Sequence, residues 1–172
     1  NYIFKTKEGG NPPTNKGLIV FEVQGAIRSV SGVSASLSTI YPGQSVTITA
    51  TLDDAFNTGQ GVYLRYTNDD FSTSGVAEMT GSGTSYTASI PSSVNGASKT
   101  VKYYVFTSGN GLSITGDKAD WYTINLNNDG GTNYSYTVQS SWITAANGNW
   151  SSASTWNGNA VPPDNQPVTI DH

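Results

Sequence analysis

Cysteine is absent from the 172 residues, which excludes disulfides, thiolate metal sites and a cysteine nucleophile. Histidine occurs once, as His172 at the very end of the chain. A Ser-His-Asp arrangement would therefore lack its base, and a His-bound metal its ligand set. Charge is sparse: 12% of residues are Asp, Glu, Lys or Arg, about half the usual share of a soluble domain. The eight basic residues stand singly under a net charge of −4, so no basic stripe is available to neutralise phosphates and nucleic-acid binding is not expected. No apolar run is long enough to span a bilayer, and none keeps a sustained 3.6-residue period. The opening Asn1-Tyr-Ile-Phe-Lys5 has neither an initiator Met nor the pattern of a signal peptide, so any export signal is expected to lie outside this sequence.

In place of Lys and Glu the chain uses Ser, Thr, Asn, Gly and Tyr. Turns need Gly and Asn, and strands favour Thr, Val and Tyr, so the expected fold class is all-β. A Cys-free β protein of this kind fits export to a bacterial surface better than a small eukaryotic secreted domain, which is usually stapled by disulfides. The triplets Asn133-Tyr-Ser and Asn149-Trp-Ser would accept N-glycans in a eukaryote, but triplets of this kind arise by chance in a chain so rich in Asn and Ser.

The residue order divides into three units. Residues 1–28 hold two apolar runs, Tyr2–Phe4 and Leu18–Val23, around a Gly/Pro/Asn loop; they read as a hairpin too short for its own core and as the end of a preceding β domain. Residues 29–139 carry strand signals at the spacing of a two-sheet sandwich. Val46-Thr-Ile-Thr-Ala-Thr-Leu52 alternates cleanly, and Val62-Tyr-Leu-Arg-Tyr-Thr67 follows. Glu78-Met-Thr80, the turn Gly81-Ser-Gly83 and Ser85–Ile90 read as a hairpin closed by Pro91. Thr100–Thr107 has the strongest strand pattern, and Trp121–Leu126 and Tyr134–Val138 are the last two expected strands. About 110 residues suffice for one stable core without metals or disulfides. Residues 140–172 read as the start of a following β domain, because the alternating Val168–Asp171 would have no partner before the sequence stops.

Three of the four tryptophans, Trp142, Trp150 and Trp156, fall within residues 142–156. Such a cluster serves either as a ligand platform or as an interdomain seam; set beside the unpaired strand it reads as a seam. The remaining chemistry lies in carboxylates and rings. Asp53-Asp54 and Asp69-Asp70 each end a strand, where neighbouring side chains point to opposite faces, so neither pair supplies the facing carboxylates of a glycosidase. Asp at such turns ordinarily bonds its own backbone. A Ca²⁺ site built from the oxygen-rich loops is the alternative, with Asp69, Asp70, Asp117 and Asp120 (and Asp129 beyond them) as hard ligands, although no Asp-x-Asp-x-Asp-Gly loop occurs; otherwise no cofactor is expected. Sugar-binding sandwiches stack exposed rings on pyranoses, and Trp121, Tyr122, Tyr63, Tyr66 and Phe71 are the candidates, set against the ordinary role of such residues as core. Along Val101–Thr107, Tyr103 and Tyr104 point to opposite faces, so one of them is exposed unless both faces are covered.

Pro42-Gly-Gln-Ser-Val-Thr-Ile48, Val62–Thr67, Tyr86–Pro91, Val101–Ser108 and Asn133–Val138, in that order and spacing, resemble the Ig-like or fibronectin-type β-sandwich modules of large secreted proteins of bacteria that use the type IX secretion route. The resemblance implies an antiparallel Ig-like β-sandwich with partial flanking β elements, non-catalytic, secreted or at the cell surface, acting as a spacer or adhesion module. Neighbouring domains, polysaccharide and the secretion machinery are the partners it implies. Val62–Tyr66, Tyr86–Pro91 and Lys102–Phe106 are also similar to starch-binding modules attached to amylases, which implies glucan binding as the alternative. Asn147-Gly-Asn-Trp150, Ser154-Thr-Trp156, Val161-Pro162 and Val168–Ile170 resemble the opening of parallel β-helix-like adhesin domains, where the tryptophans would cap the first coil.

Overall fold

A computed structural model describes residues 2–6, 18–22 and 25–171. The Val46–Leu52 alternation takes the form its pattern dictates. It makes strand β4, with Val46, Ile48, Ala50 and Leu52 buried and the threonines between them facing outward. On one side β4 pairs antiparallel with β3 (Val30–Ala35), on the other with β8 (Ser85–Ile90), and β8 pairs in turn with β7 (Thr80–Ser82). The order β3-β4-β8-β7 is thus a four-stranded antiparallel sheet. Ser31 is the extra residue of a bulge between Val30 and Gly32, and its hydroxyl donates to the Thr51 carbonyl at 3.1 Å.

A second antiparallel sheet is built on the long pair β5 (Gln60–Thr67) and β9 (Thr100–Gly109), in register from Gln60 opposite Gly109 to Thr67 opposite Lys102. Strand β6 (Gly75–Glu78) adds to β5, while β10 (Leu126–Asn127) and β11 (Tyr134–Thr137) share the far edge of β9. The inner faces of the two sheets meet in one core: Val46, Ile48, Ala50, Leu52 and Ile90 from the first against Val62, Leu64, Val101, Tyr103 and Val105 from the second. Each fully buried Val, Leu or Ile contributes about 1.5–3 kcal/mol relative to exposure, so this core is the main source of stability.

The chain changes sheets at Met79, which is 4% exposed and whose amide donates to the Val62 carbonyl. The expected strand Glu78–Thr80 is accordingly split: Glu78 ends β6 in one sheet and Thr80 begins β7 in the other. The β7–β8 hairpin is present, turning at Gly83-Thr84, two residues being the tightest loop an antiparallel pair permits. The expected strand Trp121–Leu126 does not form as one piece. Ala119–Tyr122 makes a single helical turn, α1, in which the Thr123 amide and hydroxyl both donate to the Ala119 carbonyl; backbone bonds to β9 begin at Ile124, whose amide donates to the Thr107 carbonyl, and strand β10 follows from Leu126.

The outer face of the second sheet is covered as well. Residues 110–125 lie over it, and Tyr63, Tyr104, Phe106, Ile114 and Ala119 form a second apolar cluster there. Tyr103 and Tyr104 are both buried, because both faces of β9 are packed. At the N-terminal side β1 (Tyr2–Thr6) and β2 (Leu18–Glu22) form an antiparallel hairpin, in register from Tyr2 opposite Glu22 to Thr6 opposite Leu18. At the C-terminal side the strand expected to be unpaired has a partner: β13 (Val168–Thr169) runs parallel to β12 (Trp142–Ile143). A 24-residue excursion returns the chain beside its own earlier strand, a long-range parallel pairing of the kind that needs a crossover.

Candidate functional site

Arg65 is the one charged side chain in the buried part of β5, 8% exposed and placed on the outer face opposite Tyr104. A guanidinium taken out of water needs partners. Its Nε donates to Ser74 Oγ at 2.9 Å, and its Nη1 donates to Tyr104 Oη at 2.6 Å and to Asp120 Oδ1 at 3.0 Å. The Phe71 and Tyr104 rings lie 5.1 and 5.6 Å from its central carbon, within the range of cation–π attraction. Burial pushes the Tyr104 hydroxyl pKa up, and Arg65 opposes that shift.

Two loops wall this position. The β5–β6 loop is closed by Asp69, whose carboxylate accepts from Thr67 Oγ1 and Thr73 Oγ1, each at 2.6 Å, and from the Thr73 amide at 3.0 Å. These bonds, the Thr67 hydroxyl first, hold the Asp69 pKa at about 2. The next two residues, Asp70 and Phe71, have φ of 59° and 64°. For non-glycine residues that conformation costs about 1–3 kcal/mol each and persists only where the surroundings impose it. Asp70 is held by Lys102 Nζ at 2.6 Å, and the Phe71 ring by Tyr104 at 5.6 Å between centroids. The second loop approaches so closely at Gly116 that a Cβ there would lie 2.1 Å from the Ser74 carbonyl oxygen, so only glycine fits. Between the loops is a cavity of about 330 Å³, lined by Arg65, Phe71, Ser72, Thr73, Ser74, Thr115, Gly116 and Asp117.

Of the rings expected to bind sugar, Phe71 alone lines this cavity. Tyr63 is 1% exposed, stacks on Phe106 at 5.4 Å and donates its hydroxyl to the Gly109 carbonyl at 2.7 Å; burial pushes its pKa to about 12. Tyr66, on the opposite face of β5, packs against the inter-sheet core and presses on Gly75. Trp121 and Tyr122 lie half-buried in α1. The five rings are therefore not arrayed on one exposed face. Nor are the aspartates gathered: Asp69 closes its loop, Asp70 meets Lys102, and Asp120 meets Arg65. Among the described residues no group of three or more His, Cys, Asp or Glu is placed to hold a metal ion. Asp53 and Asp54 accept from the Asp54 and Ala55 amides of their own turn, and Asp53 accepts also from the distant Ser29 amide just before β3, the bond that does most to lower its pKa.

The tryptophans form a separate centre. Trp142 and Trp156 are 0% and 2% exposed; Trp142 stacks on Tyr41 at 4.7 Å and its Nε1 donates to the Pro42 carbonyl at 2.9 Å. Gly158 lies against the Tyr41 ring, where a Cβ would come within 2.7 Å. Trp150 differs from the other two: it is 54% exposed, set edge-on to Trp156, beside a hollow of about 120 Å³ shared with Thr144, Asn147 and Ile170.

Sequence reasoning passed over Arg65, Ser72, Thr73, Ser74 and Thr115. The available signal was a lone Arg inside the otherwise apolar and aromatic Val62–Tyr66. Searched against known proteins, the chain matches no protein-family model and no curated protein.

Proposed function

We propose that this chain is a non-catalytic spacer or adhesion module of a large secreted or cell-surface bacterial protein, with an Ig-like sandwich at residues 29–139. The observation that carries the reading is the joint made by Tyr41, Trp142 and Trp156. A spacer must transmit direction, and direction is lost wherever two units meet through a flexible linker. Here residues 140–171 meet the sandwich through stacked rings, a buried indole hydrogen bond to Pro42 and the Ile40–Val138 bridge just before the joint. The Asp69 and Asp120 carboxylates, both exposed, hold a loop and the Arg65 charge, which suits a structural role.

Backbone ¹⁵N relaxation tests the proposal. Residues 30–171 are expected to tumble as one body, and Trp142→Ala to free residues 140–171 to move independently. Independent tumbling in the unaltered protein, or release of reducing sugar from a polysaccharide, would sink the spacer reading. A second reading, polysaccharide binding, is favoured by one specific observation: the Arg65 cavity joins polar groups of both signs to an aromatic wall.

A further inference from the structure

We infer that Asn147 is a site of spontaneous deamidation: the Gly148 amide nitrogen displaces ammonia from the Asn147 side chain, and water opens the resulting ring to aspartate and isoaspartate. The reaction is independent of the spacer role.

The chemistry makes two demands. The nitrogen of the next residue must reach Cγ of the asparagine, which requires rotation about the Cα–Cβ and Cα–C bonds of the asparagine. That nitrogen must also give up its proton. A following glycine favours the approach, because it has no Cβ to block it. As the new N–Cγ bond closes a five-membered succinimide, the bond from Cγ to the side-chain nitrogen breaks and ammonia leaves. Water then adds to one of the two ring carbonyls. One opening leaves an ordinary Asp, the other an isoaspartate whose main chain is longer by a methylene. Water is the sole co-reactant, and nothing is oxidised or reduced.

Four Asn-Gly pairs occur in the chain, Asn95-Gly96, Asn110-Gly111, Asn147-Gly148 and Asn157-Gly158, and the fold separates them. Asn95 is 0% exposed and locked at both ends of its amide: Nδ2 donates to the Gln44 carbonyl at 2.7 Å, and Oδ1 accepts from Tyr136 Oη at 2.8 Å. Asn110 is exposed, but its attacking nitrogen is held. The Gly111 amide donates to Glu78 Oε1 at 2.9 Å, and a carboxylate acceptor keeps the proton in place. Asn157 is restrained through its backbone. Its amide donates to the Ile143 carbonyl at 2.9 Å, and Gly158, at φ 89°, lies against the Tyr41 ring. The peptide between them cannot turn without disturbing the stacked rings of the joint.

Asn147 has none of these restraints. It is exposed, and among the described residues no hydrogen bond holds its side chain, its backbone or the Gly148 amide. The glycine beside it is one the fold cannot exchange. A Cβ on Gly148 would collide with Oγ1 of Thr155, a buried residue whose hydroxyl donates to the Asn149 carbonyl at 2.8 Å. Packing on Thr155 thus keeps the most reactive neighbour next to the least restrained asparagine. The product alters its surroundings as well. Asn147 and Gly148 line the hollow beside Trp150, and no Lys or Arg follows Lys118, so this part of the chain supplies no cation to the new carboxylate. In the isoaspartate the extra methylene lies just before the Asn149 carbonyl, which accepts from Thr155 and from the Ser152 amide and so closes the turn that carries Trp150.

The test is peptide mapping by mass spectrometry of the whole folded chain, held in mildly alkaline buffer and sampled over days, so that all four pairs are compared in one sample. Asn147 is expected to gain about one dalton, NH₂ being replaced by OH. It should do so at least about tenfold faster than Asn95, Asn110 or Asn157, as a mixture of Asp and isoaspartate. In denaturing urea the four pairs are expected to react at similar rates, which assigns the selectivity to the fold. Glu78→Ala, which frees the Gly111 amide, is expected to raise the rate at Asn110 toward that at Asn147. Asn147→Gln is expected to abolish the gain at position 147 with the thermal midpoint unchanged. A folded-state rate at Asn147 no higher than at Asn95 overturns the assignment. Aspartate without isoaspartate overturns the ring-closing route, and selectivity that persists in urea removes the fold as its cause.

Discussion

Asp69 illustrates how much of a loop one carboxylate can hold. Its two oxygens collect two hydroxyls and an amide from residues within four positions, and the charged form is favoured by every one of those donors. The direction of the linkage follows. Because the folded pKa lies below the ordinary 3.8, the contribution of Asp69 is complete above that value and is lost as the pH falls toward about 2. The Thr73 amide shift is therefore expected to titrate well below the usual carboxylate midpoint, and Asp69→Ala to abolish that transition and speed exchange of the Thr73 amide. A midpoint at the ordinary value would show that the hydrogen bonds do not persist in solution. Arg65, by contrast, was hard to interpret from residue order alone. An arginine among Val, Tyr and Leu signals something, but its partners Ser74, Tyr104 and Asp120 lie 9, 39 and 55 positions away.

Among the elements, strands with a strict period of two were legible down to the residue. In β4 the apolar set and the threonine set fall on opposite faces because successive side chains alternate, and no distant information is needed to say which face is buried. Ile48→Ala is accordingly expected to destabilise by about 2–5 kcal/mol in urea denaturation, and Thr51→Ala, at an exposed position of the same strand, by no more than about 1 kcal/mol. Similar losses at the two positions would mean that the register is misplaced. Where a segment lacks this local period the outcome depended on what it meets. Trp121–Leu126 has strand-forming residues, yet Trp121 and Tyr122 belong to a helical turn and only Ile124–Leu126 bond to β9, because the segment must cross over the Tyr63–Phe106 surface before it reaches the sheet edge. Whether Tyr103 or Tyr104 faced water was likewise open, and the covering segment 110–125 decided it by burying both.

For the molecule as a whole, Trp142 packs residues 140–171 against Tyr41 and Pro42 of the preceding unit. Trp142 is fully buried between Tyr41 and the β13 strand, so Trp142→Ala is expected to remove about 3–5 kcal/mol from the stability of that region. Tryptophan fluorescence during denaturation reads this out: the variant should show an early transition reported by Trp150 and Trp156, followed by the sandwich. A single transition at the parent midpoint would show that the joint carries no load.

Residue order by itself determined that the fold is all-β and antiparallel in its main sheets, which strands alternate and which face of each is apolar. These properties rest on periodicity, turn chemistry and composition, all of which act within a few residues. Only the tertiary structure decided that Met79 switches sheets, that β13 pairs with β12, and that the β5–β6 loop meets Thr115–Asp117 around Arg65. Each of these brings together residues separated by many positions. Such contacts form only when the free energy of burial across the whole chain outweighs the entropy of closing the loops between them, and no local pattern encodes that balance.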